Sequence, residues 1–188
     1  MLPSDVIQNA ERDMLLDEHI RTIPDYPKPG VLFRDVTTLI LDPLAFRRAV
    51  LELAESFERN EIDKLVGIEA RGFIFGAAIA YELNVGFVPA RKAGKLPSAV
   101  HQQHYELEYG SNTLEIHKDA IRPDDKIIVI DDLLATGGSA CAAIDLIVGA
   151  GGCVIGCGFV AEISDLTGRQ RIESKDIAVH ALCQFKNS

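Results

Sequence analysis

Apolar and polar positions follow two periods along the chain, and together these periods predict strands separated by helices. Continuous apolar runs between turn residues predict strands at 64–70, 85–92, 126–132, 153–163 and 176–185. Apolar residues spaced three and four positions apart predict helices at 4–20, 43–59, 72–83 and 139–149. This alternation predicts an α/β fold in which helices flank a central, mostly parallel, twisted sheet.

Two regions depart from this alternation. Three prolines and a glycine exclude a helix at 22–30, and the segment 31–40 is predicted to be extended or looped. Residues 93–112 are polar and weakly periodic, which predicts a long loop of the functional kind. The alternation at 112–119 predicts an exposed strand, which can form a hairpin with 105–109.

The length and composition of the chain indicate one globular domain over residues 1–188. The chain is 47% apolar and 25% charged, values that argue against disorder. Its net charge of −9, from 28 acidic and 19 basic residues, argues against a nucleic-acid or anionic-membrane partner. That charge still permits a local site for a small anion.

Targeting segments and metal-binding cysteines are not expected. The N-terminus has no basic segment followed by an apolar run, which argues against a signal peptide. Polar and turn residues interrupt the apolar stretch 72–90, which therefore predicts a buried helix and strand rather than a membrane span. The cysteines lie in apolar surroundings without a CxxC motif, so we expect core thiols and a cytoplasmic location; they are Cys141, Cys153, Cys157 and Cys183.

The strongest candidate site lies at 127–140, where a buried strand ends in two carboxylates. Ligands of open α/β sheets bind beyond the carboxyl ends of strands, so Asp131 and Asp132 are placed at such an edge. The following loop, 135–139, leads into a helix, and its small residues allow backbone N–H groups to approach an anion; it consists of Ala135, Thr136, Gly137, Gly138 and Ser139. Carboxylates beside a phosphate loop suit a sugar diol, which predicts a ribose phosphate ligand.

The segment VIDDLLATGGSA resembles the 5-phosphoribosyl-1-pyrophosphate (PRPP) signature of type I phosphoribosyltransferases, in the wording of the adenine branch. Three further segments are similar to that branch: 23–37, 68–76 and 91–110. The resemblance implies the type I phosphoribosyltransferase fold with a small N-terminal hood within residues 1–40 and a flexible catalytic loop at 93–112. It also implies the reaction of adenine and PRPP to give AMP and pyrophosphate in purine salvage.

The resemblance implies roles for the remaining basic residues. Arg71 matches the pyrophosphate loop, where relatives often have a cis peptide that here falls between Glu69 and Ala70. Lys92 and Lys95 are assigned to the pyrophosphate, whereas Arg91 is either a further contact or structural. Local positive charge is what a departing pyrophosphate needs.

The family loop closes over the substrates and excludes water from an oxocarbenium-like transition state. Glu108 matches the position proposed to handle a purine proton, and Tyr109 is placed beside it among the catalytic residues. Spacing alone does not separate Glu108 from Glu106, because both point to one side of a strand.

The resemblance also implies an adenine pocket. Phe33 lies against the ring, main-chain groups near Leu32 meet the adenine edge, Arg34 lies nearby, and Ile163 forms the opposite wall. Relatives use Mg²⁺, which we expect to be held mainly by PRPP and water rather than by protein ligands. A homodimer is implied as well. The alternatives are a 6-oxopurine phosphoribosyltransferase and a non-catalytic PRPP-sensing regulator.

Overall fold

The computed structural model describes residues 14–106 and 111–186, and this part contains nine strands and five α-helices. The strands are β1 (Arg21–Pro24), β2 (Leu32–Asp35), β3 (Lys64–Ile68), β4 (Gly86–Lys92), β5 (Val100–Glu106), β6 (Ser111–His117), β7 (Lys126–Leu134), β8 (Cys153–Ile163) and β9 (Ala178–Phe185). The α-helices are α1 (Thr37–Leu41), α2 (Pro43–Glu55), α3 (Gly72–Leu83), α4 (Gly138–Gly149) and α5 (Gly168–Glu173). Short 3₁₀ helices occupy Leu16–His19 and Arg59–Glu61.

Seven strands form the central sheet in the order β5-β6-β4-β3-β7-β8-β9. The five strands from β4 to β9 in that order are parallel, whereas β6 joins β4 and β5 in antiparallel pairing. The mostly parallel α/β sheet predicted from the sequence is therefore confirmed.

The continuous apolar sequence of strand β7 is explained by its burial on both faces of the sheet. Ile127 and Val129 pack into one buried cluster with residues of α4, whereas Ile128 and Ile130 pack into a second cluster with α2 and α3. Side chains alternate between the faces of a strand, so a strand covered by helices on both faces needs apolar residues throughout.

Most predicted elements lie where the sequence placed them. Helix α3 and strand β8 match their predicted ranges, and α2 begins as expected because Asp42 accepts bonds from the N–H groups of Leu44 and Ala45. Helix α2 ends at Glu55, four residues before its predicted end. The short helices α1 and α5 were not predicted. The helix predicted at 4–20 falls largely on residues 1–13, outside the described part, and its remainder is wrong because 16–19 form a 3₁₀ helix.

The loop predicted over 93–112 is wrong for Val100–Glu106, which form β5 and pair in register with β6. The pairing agrees with the hairpin alternative. Strand β6 is not exposed as expected, because Leu114, Glu115 and Ile116 are all buried. The carboxylate of Glu115 is buried against polar partners, accepting bonds from the Gln102 side chain and the N–H of Gly94.

A two-stranded antiparallel sheet, β1–β2, forms the N-terminal hood. Buried Asp35 at the end of β2 accepts two bonds from Arg21, one of them 2.5 Å long, and bonds from the N–H and hydroxyl of Thr37. These bonds connect the start of β1, the end of β2 and the start of α1.

Three of the four cysteines are buried as predicted, but Cys153 is exposed. All four thiols are free. Cys153 opens β8 at its solvent-facing end, which explains the error. Burial raises the pKa of Cys183 to about 12, so this thiol stays protonated at neutral pH.

Among the described residues, no helix is long and apolar enough to cross a membrane.

Candidate active site

Several of the predicted site residues lie at one edge of the sheet, where the carboxyl ends of four parallel strands are side by side. Strand β3 leads to Arg71, β4 ends at Lys92, β7 carries Asp131 and Asp132, and β8 ends at Ile163. This is the edge at which open α/β sheets bind ligands.

The loop 135–139 connects β7 to α4, and we refer to it as the phosphate loop. Gly137 adopts a left-handed backbone with φ +76, which favours glycine because it has no Cβ. The loop borders a pocket of about 100 Å³, lined by Asp131, residues 133–140 and Phe159. Helix α4 begins at Gly138, so its first N–H groups have no partner within the helix and are available to an anion.

Helix α5 holds the phosphate loop from outside. The N–H of Gly168 donates to the carbonyl of Ala135 over 3.1 Å, and Arg171 Nη1 donates to the carbonyl of Thr136 over 2.7 Å. A Cβ added to Gly168 would lie 2.3 Å from the Ala135 oxygen, so this approach requires glycine.

Asp131 and Asp132 differ in their surroundings. Asp132 is buried and forms an ion pair with Arg71 through Nε. The Oδ1 atom of Asp131 accepts from the N–H of Asp132 over 2.9 Å. Burial, together with the neighbouring Asp132 carboxylate, raises the pKa of Asp131 well above its usual value. The close approach of Gly72 permits this packing, because a Cβ there would lie 2.8 Å from Asp131 Oδ1.

Glu69 organises the basic residues at the end of β4. Its carboxylate accepts from Lys95 Nζ over 2.6 Å, from the N–H of Lys92 over 3.0 Å and from Arg91 Nε over 3.4 Å. Burial raises the pKa of Glu69, but these donors outweigh it and lower the pKa below its usual value. Arg91 also donates to the Lys95 carbonyl, which supports the structural interpretation of this residue. The cis peptide expected between Glu69 and Ala70 is confirmed.

Phe33 of the hood lies over this edge of the sheet. Its ring centroid is 5.7 Å from the Arg71 guanidinium and 5.1 Å from the Tyr26 ring. Leu32 and Phe33 belong to β2, which pairs only with β1 among the described strands, so its other edge keeps free main-chain groups.

Arg34 and Ile163 are both neighbours of Phe185. The Arg34 guanidinium lies 4.5 Å from the Phe185 ring centroid, and Phe185 is the β9 partner of Ile163. Arg34 also donates to the Thr22 hydroxyl and to the carbonyl of Lys186. These bonds hold the hood to the end of β9, so contact between Arg34 and a base stays a prediction.

Glu108 and Tyr109 lie outside the described residues, so their catalytic assignments stay predictions. The hairpin of β5 and β6 ends on either side of them.

Sequence reasoning missed several residues that shape the site. Glu69 was recognised only as part of the pyrophosphate-loop match and its cis peptide, not as the partner of the basic residues, and Glu115, Gly168 and Arg171 were not considered. Arg171 lies 35 positions from its partner Thr136, and no local pattern marks such a bond. The glycine at 168 was the available signal, since a glycine at the start of a short helix can mark a close backbone approach.

This edge combines the phosphate loop, two carboxylates and a cluster of cations. These are the groups that a phosphoribosyl-transferring enzyme needs. The family described as "Phosphoribosyl transferase domain" matches residues 37–183, and the chain belongs to this family. The type I phosphoribosyltransferase fold predicted from the sequence is thereby confirmed.

Individual relatives indicate the branch. The adenine phosphoribosyltransferase of Parvibaculum lavamentivorans is 53% identical over 173 residues, covering 92% of this chain and 99% of the relative. The crystal structure of the Rhodothermus marinus adenine phosphoribosyltransferase superposes with a TM-score of 0.85 at 46% identity, covering 95% of this chain and 99% of the other. The Saccharomyces cerevisiae enzyme, complexed with D-2,5-dideoxy-2,5-imino-altritol 1,6-bisphosphate and adenine, gives 0.83 at 38% identity, covering 93% and 99%.

Proposed function

We propose that this protein transfers the 5-phosphoribosyl group of PRPP to adenine, forming AMP and pyrophosphate in purine salvage. The observation that carries the proposal is the meeting of the phosphate loop, Asp131 and Asp132, Arg71 and Phe33 at one sheet edge. Relatives that share about half of the sequence over nearly the whole chain are adenine phosphoribosyltransferases.

The phosphate loop binds the 5′-phosphate through main-chain N–H groups and the hydroxyls of Thr136 and Ser139. Asp131 and Asp132 face the ribose hydroxyls, which donate to carboxyl oxygens. Arg71 and the exposed Lys92 neutralise the pyrophosphate. Lys95 joins them by exchanging Glu69 for the pyrophosphate, since its 2.6 Å bond to Glu69 leaves the side chain near the site.

The base lies between Phe33 and Ile163. The free edge of β2 near Leu32 supplies main-chain groups that accept from the exocyclic amine and donate to N1 of adenine. A 6-oxo purine reverses this donor and acceptor pattern and leaves buried polar groups unpaired. Arg34 supports the pocket through Phe185.

Chemistry at the anomeric carbon passes through an oxocarbenium-like ribose that water would trap. The segment 93–112 closes over the substrates and excludes that water. Glu108 handles the purine proton there, and Tyr109 helps to close the site. Arg71 stabilises the departing pyrophosphate, because its guanidinium stays charged throughout the reaction.

Mg²⁺ supplies positive charge to the pyrophosphate and is held mainly by PRPP and water. Oxygen ligands suit Mg²⁺, and the phosphate oxygens of PRPP together with water would supply them. Over residues 14–106 and 111–186, no group of three or more potential metal-ligating side chains occurs.

A homodimer is supported by the outer face of α3. Ile74 and Tyr81 lie two turns apart on that face and are 42% and 87% exposed. Replacing Tyr81 with Glu should shift the protein toward monomer in analytical ultracentrifugation; an unchanged sedimentation profile would exclude this face. We also propose a cytoplasmic location, in which the free thiols stay reduced.

The test of the reaction is to incubate the protein with PRPP, Mg²⁺ and one base at a time. Adenine should give AMP, whereas hypoxanthine and guanine should give at most about 1% of that rate, because the pocket leaves buried groups unpaired. Comparable rates with a 6-oxopurine would favour the 6-oxopurine enzyme. Tight PRPP binding without any nucleotide product would favour the regulator.

A further inference from the structure

The phosphate loop depends on groups that lie outside it. The carbonyls of Ala135 and Thr136 both point toward α5, where Gly168 N–H and Arg171 Nη1 donate to them. A trans peptide unit is planar, with its N–H directed opposite to its C=O. Fixing these two carbonyls therefore directs the N–H groups of Thr136 and Gly137 away from α5. Within the described part of the chain, neither N–H group donates a hydrogen bond.

Helix α5 is itself fixed to the surrounding elements. Arg169 donates to both carboxylate oxygens of buried Glu162 on β8, with a shortest distance of 2.6 Å, and to the carbonyl of Val179 on β9. Lys175, just beyond the helix, pairs with Asp145 of α4 over 2.8 Å, but both side chains are exposed, and pairs of this kind contribute little to stability. The helix is thus a rigid support against which the loop is held.

We propose that Arg171 is a positioning residue for 5′-phosphate binding: it holds the Thr136 carbonyl so that the Gly137 N–H stays directed at the phosphate. This rests on the proposed function, in which loop 135–139 binds that phosphate. Oriented N–H donors that need no rearrangement bind an anion more tightly, since the ordering is complete before binding.

Arg171 suits a positioning role better than a direct phosphate contact. The guanidinium already donates to a carbonyl at 2.7 Å, and the residue lies on the exposed side of α5. Removing an exposed side chain seldom unfolds a protein, so its effect on binding is measurable in folded enzyme.

The test compares Arg171→Ala with Lys175→Ala, a matched control that removes one positive charge near the same helix without touching the loop. Isothermal titration gives the dissociation constants of AMP and of adenosine, which lacks the phosphate. Steady-state assays give kcat and the KM values for PRPP and adenine. Arg171→Lys tests rescue, because an ammonium retains a donor but loses the planar fork.

Arg171→Ala should weaken AMP binding and raise the KM for PRPP by about tenfold, the effect expected of one charged hydrogen bond. Adenosine affinity, the KM for adenine and kcat should change less than about twofold. Lys175→Ala should match the wild type, and Arg171→Lys should recover part of the loss.

Three results would overturn the proposal: unchanged AMP affinity in Arg171→Ala, an equal loss in Lys175→Ala, or an equal loss for adenosine. The second would mean that general charge matters, and the third that the whole site is distorted. If the wild type makes no AMP from adenine and PRPP, the proposed function fails instead. The two failures are therefore distinguishable.

Discussion

At the scale of single residues, the site depends on glycines that allow backbones to touch. Gly137 has φ +76, and a Cβ there would lie 2.9 Å from the Cα of Gly168. The sequence predicted that Gly137 serves the phosphate loop, because two glycines lie in the loop that follows a strand with an acidic pair near its end. It did not predict Gly168, since its need for glycine arises from a carbonyl more than thirty positions away in the chain.

Replacing Gly168 with Ala should destabilise the protein by about 1–3 kcal/mol and raise the KM for PRPP. The new Cβ would overlap the Ala135 carbonyl, and backbone overlaps of this kind cost that much. Urea denaturation measures the stability. Gly149→Ala is the control, since a Cβ at Gly149 meets nothing within 4 Å. Equal stabilities of the two variants would contradict the packing argument.

Glu108→Gln should lower kcat about 100-fold, the usual lower range for losing a general acid or base. Glu106→Gln, two positions away, should keep kcat within about threefold of the wild type. Single-turnover kinetics with saturating substrates measures the chemical step for both. A large loss in Glu106→Gln with full activity in Glu108→Gln would reverse the assignment, which the sequence alone left open.

At the scale of elements, local capping signals were readable from the sequence and long-range pairing was not. Asp42, the N-cap of α2, directly precedes Pro43 and an apolar repeat, which are local signals of a helix start. Strand β5 was missed because its polar residues carry no periodic signal, and its register is set by β6. The partners of its neighbour Glu115 lie 13 and 21 positions away in the chain, so no local pattern marks the burial of this carboxylate.

Asp42→Ala should destabilise the protein by about 1 kcal/mol, because the N–H groups of Leu44 and Ala45 lose their acceptor. Thermal denaturation detects this as a lower Tm. Asp42→Asn, which keeps a capping oxygen, should recover most of the difference. If the Asn variant is as unstable as the Ala variant, the stabilisation does not come from capping.

At the scale of the whole molecule, net charge and site charge carry different information. The net charge of −9 coexists with a local concentration of cations at the carboxyl edge of the sheet, formed by Arg71, Lys92 and Lys95. Acidic residues organise these cations: Glu69 holds Lys95, and Asp132 holds Arg71. The sequence predicted which cations lie there, whereas their carboxylate partners became clear only from the fold.

Attachment of the hood should depend on pH through Asp35. Burial raises the pKa of this carboxyl, but its bonds to Arg21 and Thr37 outweigh burial and lower it from 3.8 to about 2. A lowered pKa stabilises the fold above the unfolded-state pKa, and this stabilisation is lost as pH falls toward 2.

The stability difference between the wild type and Asp35→Asn should therefore shrink by about 1 kcal/mol between about pH 5 and pH 3. Urea denaturation at a series of pH values measures it. Asp63→Asn is a suitable control, because Asp63 Oδ2 bonds the Lys126 N–H far from the hood. A difference for Asp35→Asn that is independent of pH would show that the Arg21 pair does not hold this pKa down.

The most direct test of the central claim, that one sheet edge binds both ends of the nucleotide, is a crystal structure of the AMP complex. We predict the 5′-phosphate in the phosphate loop, within hydrogen-bond distance of the Gly137 N–H. The adenine ring should lie between Phe33 and Ile163, with its edge toward the main chain near Leu32. A nucleotide bound elsewhere, or one with its phosphate outside loop 135–139, would contradict this account.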